Sequence, residues 1–135
     1  MDEEIYAGFM LSANFPVANV DRLNELLDLA FQPRFAEIWL TGPRAALLIS
    51  KNADKAWVMF DSHSDDPSFD ASFHAINPTY TGPEGVSLKL YVHNGQDDER
   101  PLGEWIPMDE AKRIAQHFYL HGERAPDSTW FDDFQ

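Results

Sequence analysis

The chain contains no cysteine. No disulfide can staple it, and no thiol can act as nucleophile or metal ligand. A reducing compartment suits such a chain. Long apolar runs are also missing, and no segment approaches the roughly 18 apolar residues that a membrane-crossing helix needs. The opening Met1-Asp2-Glu3-Glu4 is acidic where a secretory leader would be basic. A cytoplasmic protein is expected. Positive charge is the third scarcity, with 10 Lys and Arg against 23 Asp and Glu and a formal net charge of −13. Between Asp61 and Glu110 the only bases are Lys89 and Arg100. A field of one sign repels nucleic acid and anionic membranes, and it speeds encounter with a basic protein. Direct nucleic-acid binding and membrane association are therefore disfavoured.

Catalytic and cofactor patterns are just as sparse. The glycines do not cluster into a phosphate-cradling loop, and Gly82-Pro83-Glu84-Gly85 sets an acid where phosphate would need donors. No Gly-x-Ser-x-Gly elbow accompanies the serines. His74, His93, His117 and His121 are scattered, which suits structural or exposed positions. Adjacent acids such as Asp65/Asp66 and Asp97/Asp98 point in different directions, and nothing nearby would raise one pKa for acid–base work. No cofactor is expected, and the expectation is a protein that is not an enzyme. One cluster invites a metal: Asp61-x-His63-x-Asp65-Asp66 offers oxygens and an imidazole. It lacks the glycine and terminal glutamate of a calcium loop, and no second histidine confirms zinc. A solvated acidic loop is the simpler reading. A small metal-dependent hydrolase on that loop is the rival, and a small-ligand or adaptor domain is another.

Apolar periodicity is abundant by contrast. A chain of 135 residues suits one domain with its own core. Val20, Leu23, Leu26, Leu27, Ala30 and Phe31 form one helical stripe, with Asn19 or Asp21 as N-cap and Pro33 as stop. Short apolar runs at 35–41, 45–50 and 56–61, parted by Gly42-Pro43 and Asn52-Ala53-Asp54, predict an antiparallel meander. Residues 5–13 read as an opening or edge strand, and 69–76 as another. Val86, Leu88, Leu90 and Val92 alternate along a strand over 86–93, closed by Asn94-Gly95. Asp97 to Arg100 is too charged for core, and 102–106 is expected to return as the last strand before the C-terminal helix. Trp39, Trp57 and Trp105 lie in strand-like runs and should pack inward. The whole is α+β: a single domain, an antiparallel β-sheet with two amphipathic helices packed on one face.

The second helix lies in the last quarter. Ala111, Ile114, Ala115 and Phe118 mark its buried face, Asp109 and Glu110 its first turn, and Gly122 and Pro126 its end, before a short strand bearing Trp130. Pro107, Asp109, Glu110, Ala111, Phe118, Gly122, Arg124, Pro126 and Trp130 resemble the C-terminal signature of the Imm1 family of bacterial immunity proteins. Ala125 between Arg124 and Pro126 departs from the Arg-Pro of that pattern. The resemblance implies a protein that binds a cognate polymorphic toxin domain and blocks it in the producing cell. Toxins paired with the family are often deaminases or nucleases, whose active surfaces are basic because they hold phosphates. The matching residues look structural. Partner contacts are expected instead on charge grounds, at Asp61, Asp65, Asp66, Glu84, Asp97, Asp98 and Glu99. Tyr80 joins them as an aromatic anchor in a polar loop.

Overall fold

Leu47, Leu48, Ile49 and Ser50 are consecutive on one strand, and all four are buried. Successive strand residues face opposite sides of a sheet. Both faces of this strand are therefore covered, and the covering differs on the two sides. The computed structural model describes residues 5–9, 15–32, 35–63, 70–83, 85–91 and 97–134.

The buried strand is β4 (Ala45–Asn52), the centre of a meander with β3 (Phe35–Thr41) and β5 (Lys55–Ser62). Ile49 pairs with Ile38 on one side and Val58 on the other. The turn into β5 passes through Ala53, whose φ of 57° is left-handed without a glycine. On the far side of β5 lie β6 (Ala71–Ile76) and then β10 (Thr129–Asp132). On the far side of β3 lie β1 (Tyr6–Phe9) and β2 (Phe15–Pro16). Of the opening strand expected over 5–13, residues 6–9 are strand and 10–13 lie outside the described residues; the segment expected as a connection holds a two-residue strand. All these pairings are antiparallel.

One face carries the helices. Asn19 caps α1 (Val20–Ala30) by accepting the Arg22 backbone N–H at 2.8 Å. Leu23, Leu26, Leu27 and Ala30 are buried, as their spacing predicts. Pro33 lies outside the described residues. In α2 (Met108–His121) the buried residues are Ala111, Ile114, Ala115 and Phe118, again the predicted stripe. Gly122 ends it at φ 71°, and its N–H donates to the Phe118 carbonyl at 2.7 Å. Only glycine adopts that conformation without cost. Lys112 reaches Asp28 at 2.7 Å, and Gln116 donates to Asn24 at 2.8 Å, so the helices are joined at their rims. Beneath them Ile38, Leu40, Leu47, Ile49, Val58 and Phe60 complete the larger core.

The other face is closed by a separate ribbon, β7 (Ser87–Tyr91) with β8 (Asp97–Pro101). The stretch read as too charged for core does stay out of it, with Asp98 and Glu99 exposed, but it forms a strand. Two-stranded ribbons keep one side in water, so charge does not exclude pairing. Leu90 meets Leu48, Trp57 and Trp105 in a second buried cluster, with Trp39, Met59, Leu88 and Leu102 around it. The Asn52 side-chain amide donates to the Lys89 carbonyl at 3.0 Å and ties the ribbon down. The segment expected as a last strand is instead a 3-10 turn, Leu102–Glu104, followed by the two-residue β9 (Ile106–Pro107) beside β5. Trp105 explains the difference. Its backbone N–H donates to the Leu102 carbonyl and its indole to the Arg100 carbonyl, both at 3.1 Å, which curls the chain. Among the described residues no helix is long and apolar enough to cross a membrane.

Candidate functional site

His74 alternates with Phe73 and Ala75 on β6 and so faces the ribbon side, where it is 4 % exposed. Its Nδ1 lies 2.6 Å from Asp133 Oδ1, and its Nε2 lies 3.3 Å from Glu104 Oε1. The ring stacks on Trp57 at 5.7 Å and tilts against Phe131 at 5.1 Å. The same Glu104 oxygen accepts from the Trp57 indole at 3.1 Å and from Arg100 Nε at 2.8 Å. Arg100 in turn lies over the Trp57 ring. Three distant segments therefore meet around one imidazole: β6, the 3-10 turn and the residues that follow β10.

The wiring defines what this cluster does. A histidine that activates a nucleophile needs one ring nitrogen on the nucleophile and the other on a carboxylate. Here both nitrogens face carboxylates. The Ser72 hydroxyl on the same strand donates to Asp133 at 3.4 Å. The carboxylates sit at opposite ring nitrogens, so they do not converge on a common metal position. Glu104 is further committed to Arg100 and Trp57. The cluster is a clasp. Nothing in the spacing of residues 74, 100, 104 and 133 announces it.

The residues singled out for partner contact occupy separate elements. Asp61 is half-buried on β5, paired in register with Ala46 and Ser72. Asp98 and Glu99 are exposed on β8. The backbone of Asp97 opens that strand, and its side chain lies outside the described residues. Asp65, Asp66 and Glu84 also lie outside them. Tyr80 is half-buried; its hydroxyl donates to the Pro83 carbonyl at 2.9 Å. A Cβ on Gly103 would come within 3.5 Å of its ring, so the tyrosine lies against the 3-10 turn. His63 is exposed, with Nδ1 3.9 Å from Asp70. Among the described residues no three His, Asp or Glu side chains gather as a metal-holding group.

Open grooves also lie among the described residues. One, of ≈ 370 Å³, runs between α2 and the turn before β10, past Thr79, Arg113, His117, Asp127 and Thr129. The other, of ≈ 520 Å³, lies where Ile5 and Arg44 meet the end of α2 at Phe118 and His121. Neither contains an orphaned group aimed inward, since among the described residues every buried side-chain nitrogen and oxygen has a partner.

The fold defines a class, an α+β domain whose antiparallel sheet is covered by two helices on one face and a β-ribbon on the other. No protein-family model matches the chain, and no curated protein matches it.

Proposed function

We propose that the chain is an immunity-type inhibitor. It binds a basic, nucleic-acid-acting bacterial toxin domain in the cytoplasm and neutralises it by direct contact, without chemistry or cofactor of its own. The observation that carries this reading is the distribution of charge. Acids exceed bases by 23 to 10, and several bases are already engaged inside the molecule. Arg100 pairs with Glu104, Lys112 with Asp28 and Arg113 with Asp109. Asp98 and Glu99 meanwhile stand exposed on the ribbon. An acidic surface of this kind competes with phosphate for a basic active face and accelerates encounter with it.

The reading is tested by expressing the chain with the toxin-like domain encoded immediately upstream, and measuring complex formation and growth together. A stable complex with restored growth is the expected result. A folded protein that neither binds nor rescues overturns the reading, and metal analysis of that protein then tests the hydrolase rival.

A further inference from the structure

The two edges of the main sheet are built differently. At one edge β2 is two residues long and ends in Pro16, which cannot donate to an added strand. At the other edge β10 reads Thr-Trp-Phe-Asp and has neither proline nor lysine. Edge strands ordinarily carry such guards because their free backbone groups invite pairing. Among the described residues β10 pairs with β6 alone.

The register shows which groups are on offer. The Asp133 N–H donates to the Ser72 carbonyl at 2.8 Å, continuing the ladder in which Phe131 is paired with His74. Antiparallel partners alternate between residues that exchange hydrogen bonds and residues whose N–H and C=O face away. Thr129, Phe131 and Asp133 therefore bond toward β6, and Trp130 and Asp132 present their backbone groups to the open side. Around this edge Phe131 is 48 % exposed and Phe134 67 %. Asp127 and Asp133 are exposed, and Asp132 is half-exposed. The nearby bases are engaged, Arg100 with Glu104, Arg113 with Asp109 and Arg124 over the Phe73 ring at 3.6 Å. Backbone unpaired among the described residues, aromatic surface and negative charge coincide on one strand.

We infer that β10 is the docking edge for an extended basic segment of the protein partner, an inference that rests on the toxin-binding reading above. The segment adds antiparallel or parallel beside Trp130–Asp132. Its backbone bonds supply affinity, and its lysines or arginines meet Asp127 and Asp132. One apolar side chain covers Phe131.

The test uses the full chain, isotopically labelled, and a synthetic strand peptide alternating lysine and valine. A counterpart carries glutamate for lysine. The expected result is amide shifts and slowed exchange centred on Trp130 and Asp132, with the glutamate peptide about ten-fold weaker or worse. Asp132→Pro removes an outward donor while leaving the β6 ladder bonds in place, and should abolish the shifts. Because a proline can also disturb the strand itself, the double variant Asp127→Lys/Asp132→Lys provides a second reading. It keeps every backbone donor and should reverse the preference between the two peptides. Shifts centred on α1, α2 or β8, equal binding of the two peptides, or no binding at about 1 mM lysine peptide overturns the inference. Growth rescue by a chain whose β10 ignores the peptide retains the toxin reading and removes the edge. Peptide capture at β10 by a chain that fails to rescue does the reverse.

Discussion

Asp133 Oδ1 and His74 Nδ1 lie 2.6 Å apart although 59 residues separate them in sequence. The contact fastens the residues after the last strand to the sheet, and Glu104 holds the opposite side of the ring. Removing the imidazole would leave Glu104 without one of its partners and open a void between Trp57 and Phe131. His74→Ala should therefore cost about 2 kcal/mol, the scale of a part-buried polar partner lost without replacement. Urea unfolding measures it. A loss below about 0.5 kcal/mol would show that the clasp adds nothing beyond surface pairing.

The tryptophans should separate by position. Trp105 is 1 % exposed beneath the ribbon, whereas Trp130 is half-buried and held by its indole bond to the Ala125 carbonyl at 3.0 Å. Trp105→Ala should cost about 3–5 kcal/mol, and Trp130→Ala roughly half that. Equal losses in thermal or urea unfolding would contradict the difference in burial.

Two left-handed residues should respond in opposite senses. Gly122 sits at φ 71°, and a Cβ added there would have nothing within 4 Å, so Gly122→Ala meets no clash, only backbone strain. It should destabilise by about 1 kcal/mol. Ala53 already bears that strain at φ 57°. Ala53→Gly relieves it but loosens the unfolded chain, for a net gain of about 0.5 kcal/mol or less. Paired melting curves decide both signs.

Charge reversal on the ribbon addresses the partner. Asp98→Lys/Glu99→Lys alters exposed side chains and should change stability by no more than about 0.5 kcal/mol. Association with a basic toxin domain should slow, most visibly at low salt. Unchanged stopped-flow rates would remove β8 from the encounter surface.

Both helices and the central meander are legible in the sequence because their apolar residues repeat at the periods of helix and strand. The stripes Leu23–Leu26–Leu27 and Ala111–Ile114–Ala115–Phe118 are buried as spaced. The charged β8 is not legible as a strand, because its pairing depends on the Leu88–Leu90 strand opposite it rather than on its own composition. Trp105 reads as part of a strand, and its two hydrogen bonds to the preceding turn reveal why it is not. The His74 clasp escapes for a different reason. Its members come together only once β10 has docked on β6, and no local pattern records that pairing.

That late pairing also orders events at the ribosome. The meander through β6 can form from neighbours in sequence, but the strand that covers its outer side is made after α2. At about 5–20 residues per second, the interval between synthesis of His74 and Asp133, 59 residues, is roughly 3–12 s. Throughout it β6 is itself the sheet's rim, with His74, Trp57 and Phe73 uncovered by the C-terminal segment. Ribosome stalling before Thr129 would lengthen that window.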